Sequence, residues 1–263
     1  MDESRAAAYW ERNAETWTLL VRQGFDVYRD QVNTPAFLAA LPDVSGLRGL
    51  DVGCGEGHNT RLLRERGARM TGLDVSTVFL RAASGAETSA ARIRYLGGSA
   101  TRLPFSPATF DFVTAFMSLM DLPDQQTAIA EAFRVLRPGG FLQFSITHPC
   151  FGTPHRRLLR DAEGMAYAVE LGRYFDTKDG RIERWLFGAA PPAMKQGLAP
   201  FEIPVFHRTL SDWLNAISRA GFILEYTGEP YADDETARRF PNVQDTQVVS
   251  YFLHLRCRKP ATA

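Results

Sequence analysis

The chain has 263 residues, enough to bury a sizeable core as one α/β domain with insertions, and its 30 Lys and Arg against 30 Asp and Glu leave no formal net charge. That balance removes the electrostatic footprint of a nucleic-acid binder and makes a small molecule the expected partner. Three scattered cysteines, Cys54, Cys150 and Cys257, support neither a disulfide framework nor a zinc site, and no apolar run marks a signal peptide or membrane span, so the expectation is a soluble protein of the reducing cytoplasm with no bound metal.

In chain order, residues 1–45 carry apolar and aromatic residues at helical spacings, among them Tyr9, Trp10, Trp17, Leu20, Val21, Phe25 and Tyr28. They predict an N-terminal appendage of two or three short helices ending before Pro42. Over 46–148 strand-like runs at 47–52, 69–73, 93–96, 110–116 and 140–147 alternate with helical stretches at 58–66, 77–90 and 123–136. Gly67 after Arg64 and Arg66, and Pro138-Gly139-Gly140 after Leu136, are helix stops. Such alternation implies parallel βαβ units with helices on both faces of a Rossmann-like sheet.

Residues 149–205 break the rhythm with Pro, Gly, Arg and aromatics and read as an inserted cap. Its aromatics Phe151, Tyr167, Tyr174, Phe175, Trp185, Phe187 and Phe201 could form a small core of their own, wall a substrate pocket, or do both. The core resumes over 206–263, with a helix at 209–220 stopped by Gly221 and strands at 222–226 and 248–257. His207 and Arg208 stand where the insertion returns and could face a substrate.

The stretch GLDVGCGEG at 49–57 places Gly53, Gly55 and Gly57 between the first strand and the next helix. A turn of this kind lets a ligand lie against bare backbone at a helix N-terminus. Asp74, 21 residues past Gly53 in GLDVS, ends the second strand where an acid can bond both hydroxyls of a ribose. A dinucleotide fingerprint would require glycine at position 58, which is His58. Asp51 and Glu56 beside the turn would repel a pyrophosphate and favour a ligand with an amino group and a sulfonium.

These motifs, followed by LPF at 103–105, FDFVTAFMSLMDLPD at 110–124 and EAFRVLRPGG at 131–140, strongly resemble the class I S-adenosylmethionine-dependent methyltransferases, in the small-molecule branch with a type 11 methyltransferase domain. The resemblance covers about residues 46–148 and implies a seven-stranded mixed sheet whose last strand runs antiparallel. It implies that Gly53, Gly55 and Gly57 line the amino-acid part of S-adenosylmethionine, and that Asp51 fixes its amino group or the loop. By the same resemblance Asp74 holds the ribose, Val75 lies on the adenine, and Phe116 and Met117 lie along the cofactor. Ser99 and Ala100 stand where the family commonly has an Asp-Ala pair, so serine would accept the adenine contact.

Helices before the first strand often close over the cofactor in such proteins, which makes Trp17 a candidate to face the sulfonium and Arg29 to meet the carboxylate. In-line methyl transfer needs chiefly positioning, with Asp121 and His148 as candidates for a general base; Asp121 could equally cap the helix after Pro123, and His148-Pro149 could be a turn. The expected activity is methyl transfer to O, N or C of a small molecule, forming S-adenosyl-L-homocysteine. The alternatives are a tRNA or protein methyltransferase, an NAD(P)-dependent oxidoreductase, and a non-catalytic cofactor-binding module. The oligomeric state is open.

Overall fold

The computed structural model describes residues 1–87, 93–177 and 180–261. Asp2, which accepts a 2.8 Å bond from the Arg5 N–H, caps a first helix, α1 (Glu3–Arg22). The first of the appendage's helices is longer than the short ones expected, because no glycine or proline interrupts residues 3–22. A π-helical turn, Arg29–Asn33, runs directly into α2 (Thr34–Ala40).

The alternating region follows as β1 (Arg48–Val52), α3 (His58–Glu65), β2 (Arg69–Asp74), α4 (Thr77–Gly85), β3 (Arg94–Gly97), β4 (Phe110–Phe116), α5 (Gln125–Val135) and β5 (Leu136–Thr147). The end of the helix expected over 77–90 lies outside the described residues. Residues 149–205 fold as two hairpins, β6 (His155–Arg160) with β7 (Ala166–Gly172) and β8 (Arg181–Trp185) with β9 (Phe201–Val205), and a short helix α6 (Pro192–Lys195). The chain then adds α7 (Leu210–Arg219), β10 (Ile223–Gly228), α8 (Asp234–Arg239) and β11 (Phe252–Arg258).

The large sheet has the order β10-β11-β5-β4-β1-β2-β3. β1 to β5 are parallel where they pair, and β11 is antiparallel to both β5 and β10. The seventh strand begins at Phe252, four residues later than expected. Pro241–Gln247 forms a 3₁₀ helix instead, held by the Gln244 side chain, which bonds both backbone groups of Ala166 in the cap.

Period-2 alternation in β4 builds the two faces. Val113 and Ala115 pack with Ile129, Trp213 and Ile217 of α5 and α7 on one side. Phe112 and Phe116 pack with Phe37 of α2 and Leu63 of α3 on the other. The order reverses between β1 and β4, so connections leave in opposite directions there and open a crevice at the strand carboxyl ends, the usual ligand position of open α/β sheets.

Two buried features lock the centre of the sheet. Gly49 leaves room for its neighbours, since a Cβ there would sit 2.3 Å from the Phe112 ring and 2.6 Å from Met70 Sδ. Asp51 accepts bonds from Thr60 Oγ1 (2.6 Å) and Thr114 Oγ1 (3.0 Å), tying α3 and β4 to β1. Its burial outweighs those bonds and pushes the carboxyl pKa up to about 7, with Asp74 adding repulsion.

Gly49→Ala should overpack this layer and lower unfolding free energy by about 1–3 kcal/mol, measured by urea titration. Because the raised carboxyl binds its proton in the native state well above its unfolded pKa, Asp51 stabilises the protein fully below about pH 4 and loses that contribution as pH rises to about 7. The stability difference between the native protein and Asp51→Asn should therefore change across pH 4–7 and level off above it; a pH-independent difference would contradict the assignment.

Candidate cofactor and substrate chamber

A cavity of about 1170 Å³ occupies the crevice at the switch point, floored by the ends of β1, β2 and β4 and roofed by α1 and the cap. It exceeds the roughly 300–1,000 Å³ of ordinary small-molecule sites, so it has room for two ligands side by side. Its wall contains Trp17, Arg29, Asp51, Gly53, Gly55, Asp74, Val75, Ala100, Phe116, Met117 and Asp121. Gly57, Ser99 and His148 are not in it.

The three glycines have different reasons to be glycine. All have positive φ, at 69°, 54° and 83°. A Cβ on Gly53 would lie 2.4 Å from Ser118 Cβ, and one on Gly57 would lie 2.5 Å from the Tyr95 hydroxyl, so those two serve packing. A Cβ on Gly55 meets nothing within 4 Å, which makes it the bare backbone that faces open space.

Asp74 is buried, and it accepts the Gly55 N–H on Oδ2 (2.8 Å) and the Ser76 N–H on Oδ1 (2.9 Å). One carboxylate thus shapes the glycine turn and starts α4. Each oxygen keeps a further lone pair. Burial raises its pKa against those backbone bonds.

The expected repulsive role of Asp51 and Glu56 is corrected by their surroundings. Asp51 is engaged by the two threonines and shapes the sheet. Glu56 is ringed by guanidiniums, with Arg61 Nη2 at 2.9 Å, Arg22 Nε at 3.5 Å and Arg29 Nη1 at 3.9 Å; burial acts to raise its pKa, but Arg61 and then Arg29 hold it below the ordinary value. Arg29 also donates to Asp30 (2.7 Å) and to the Val21 carbonyl (3.3 Å). Asp26, pushed up to about 6 by burial, lies in the same stretch of wall with His58 and Asn59. This end of the chamber carries both signs of charge, as a zwitterionic amino-acid group requires and a dianionic pyrophosphate does not.

Ser99 is occupied: its hydroxyl donates to the Glu3 carboxylate, which also receives Thr101 Oγ1 at 2.8 Å. The acid at this edge of the cavity therefore comes from α1, a partner that local sequence could not reveal because the two are 96 positions apart. Trp17 packs among Phe187 and Phe201 (ring centroids 4.9 Å each) and Trp10 (5.4 Å), joining α1 to the second cap hairpin while it borders the cavity. Of the cap aromatics named from sequence, Trp185 and Phe187 line the cavity, whereas Tyr167 and Phe175 are largely exposed.

His148 does not reach the chamber. Its Nδ1 accepts the Cys150 N–H (3.2 Å), which leaves Nε2 to donate to Glu229 (2.8 Å). It is a joint between β5 and the segment after β10. Asp121 is different: it follows β4 in a 3₁₀ turn, lines the cavity, and burial alone raises its pKa well above the ordinary carboxylate value. It does not cap α5; Asp124 does, accepting the Thr127 N–H at 3.0 Å.

The turn that carries Asp121 starts at Met117 and is held by Ser145, Asn33 and His254, which the sequence did not single out. Met117 has φ of 51°, a conformation costing about 1–3 kcal/mol for a side-chain-bearing residue. Its N–H bonds the Ser145 carbonyl (3.0 Å) and Oγ (3.2 Å). Ser145 Oγ also receives Asn33 Nδ2 (3.3 Å), and His254 Nε2 donates to Asn33 Oδ1 (2.7 Å). Burial lowers the His254 pKa to about 4, so it is neutral at pH 7. No spacing rule links positions 33, 117, 145 and 254.

The sequence profile of the family described as Methyltransferase domain matches residues 50–144. Among curated proteins, a malonyl-(acyl-carrier protein) O-methyltransferase of Pectobacterium atrosepticum is 37% identical over 108 residues, 41% of this chain and 42% of that protein. A demethylmenaquinone methyltransferase of Thermobifida fusca is 33% identical over 143 residues, 54% of this chain and 60% of that one. The chain thus matches about half the length of these curated relatives. Among solved structures, an S-adenosylmethionine-dependent methyltransferase from Mesorhizobium loti superposes with a TM-score of 0.69 at 29% identity, covering 85% of this chain and 96% of that one. The profile match, the seven-stranded sheet and the glycine turn coupled to Asp74 coincide on the same residues, so residues 50–144 carry a methyltransferase domain and the chain has the fold of an S-adenosylmethionine-dependent methyltransferase.

Proposed function

We propose that this protein transfers the methyl group of S-adenosylmethionine to O, N or C of a small organic molecule. The observation that carries the reading is the pairing of Asp74 with Gly55: a buried carboxylate bonded to the one glycine of the turn that faces open space. Residues present fit the cofactor: Asp74 for the ribose, Val75 and Ala100 for the adenine edge, Gly55 and Arg29 for the amino-acid end. Bound there, S-adenosylmethionine supplies a methyl group already activated on a sulfonium. The protein then has to align an acceptor, and such positioning accounts for about 7–11 kcal/mol of barrier in favourable cases.

Asp121 is the side chain we assign to receive an acceptor proton. Burial makes it a stronger base than an exposed carboxylate. A small acceptor suits a chamber roofed by α1 and the cap, and the curated relatives named above carry malonyl-(acyl-carrier protein) and demethylmenaquinone in their names. No helix among the described residues is long and apolar enough to cross a membrane. Three free cysteines suit a reducing cytoplasm.

Calorimetric titration should show binding of S-adenosyl-L-homocysteine but not NADH, with affinity falling at least about tenfold in Asp74→Ala; NADH binding without the homocysteine adduct would reject the reading. Once an acceptor is found by transfer of radiolabelled methyl, Asp121→Asn should lower kcat about 10²- to 10⁴-fold with S-adenosyl-L-homocysteine affinity preserved. The native pH profile should fall off on the acid side at a pH above the ordinary aspartate range, following the upward shift at Asp121. An unchanged kcat in the variant would remove Asp121 from the chemistry.

A further inference from the structure

Arg156 borders the chamber from β6 of the cap, opposite Leu171 in the hairpin. The hairpin is fixed against the core by the double bond of Ala166 to Gln244, at 2.9 and 3.0 Å, so the position of Arg156 is set by docked structure. Its side chain is 21% exposed. Among the described residues its guanidinium makes no hydrogen bond: Nε is buried without an acceptor, and Nη2 stands 3.7 Å from Asp245 Oδ2. It also lies over the Tyr251 ring at 5.5 Å.

An arginine this enclosed normally has its donors matched. Other wall arginines are: Arg160 donates to the Gly164 carbonyl, and Arg181 to the Pro154 carbonyl and Glu183. Asp245 is turned to another task, accepting the Tyr28 hydroxyl at 2.7 Å, and its side chain is only 5% exposed. Both members border the cavity, and of the two it is Arg156 whose polar atoms make no hydrogen bond among the described residues. Leu158, Met165 and Tyr251 give the surrounding wall an apolar surface.

We propose that Arg156 anchors the methyl acceptor and that the acceptor is an organic acid, with a carboxylate held by the guanidinium and an apolar or aromatic body. This rests on the methyltransferase reading above and names its substrate class. A planar guanidinium matches a carboxylate with two parallel bonds. The nearby Asp245 offsets part of the positive charge, which suits a monoanion better than a phosphate dianion.

The test is calorimetric titration of the full chain, with and without S-adenosyl-L-homocysteine, using benzoate, trans-cinnamate and hexanoate, their amides, and phenyl phosphate. At least one acid should bind about 10- to 100-fold more tightly than its amide. Arg156→Gln should abolish the preference, Arg156→Lys should retain part of it, and Asp245→Asn should increase it. Thermal unfolding reports whether each variant is folded, and Arg156→Lys and Asp245→Asn decide the matter if Arg156→Gln is not. The proposal is overturned if no acid outbinds its amide, if the preference survives in Arg156→Gln, or if phenyl phosphate binds more tightly than every acid. Absence of S-adenosyl-L-homocysteine binding sinks the methyltransferase reading alone, because the acid and amide comparison is also read on the protein without it.

Discussion

The contact between Gly53 and Ser118 is the constraint on which the chamber depends. At the point where strand order reverses, the turns leaving β1 and β4 must cross side by side, and only a residue without a Cβ fits against Ser118, whose hydroxyl bonds the Val52 carbonyl at 2.7 Å. With those turns joined, the strained Met117 conformation places the following 3₁₀ turn and Asp121 over the strand ends. The strain is supported by Ser145 of the neighbouring strand, and through it by Asn33 and His254. A protein that stores strain beside its site must over-determine it from neighbouring elements, and here three segments far apart in the chain do so.

The roof is built on the same principle of bridging. α1 reaches the core through Glu3 at Ser99 and Thr101 and through Glu11, which accepts from Ser76 Oγ and Thr77 Oγ1. It reaches the cap through Asn13, paired with both backbone groups of Glu202, and through the cluster of Trp17, Leu20, Val21, Phe187 and Phe201. One helix thereby ties together the two units between which the cavity lies, and it contributes an acid to the cavity edge. Cap and core are further clasped through Gln244 and Ala166.

Charge in the chamber is arranged by burial as much as by count. The chain is neutral overall, yet its acids differ widely in state: Asp51 is consumed by two threonines, Glu56 is neutralised by three arginines, Asp121 is isolated and pushed toward its protonated form, and Asp74 is held by backbone donors. Treating Asp51 and Glu56 as free negative charges, as adjacency in the chain suggests, gets their local effect wrong while reaching the same ligand. Discrimination comes instead from the open face of Gly55, the acid at Asp74 and the mixed charge near Arg29.

The sequence by itself determined the α/β class, the five strands of the 46–148 region, the insertion, and the coupling of the glycine turn to Asp74, because each is encoded locally by alternation of apolar residues, by helix stops, or by a short motif spacing. Strand edges moved by a few residues, and the first of the N-terminal helices is longer, at 20 residues, than the short ones expected, since its aromatics face two partners and so blur a single 3.6-residue stripe. Only the tertiary structure decided which turn glycine faces open space, that His148 is a structural joint, that Ser99 is claimed by Glu3, and that Arg156 stands in the wall without a hydrogen bond among the described residues. Those outcomes depend on contacts between residues separated by tens to hundreds of positions, and burial sets their chemistry only after the chain has closed.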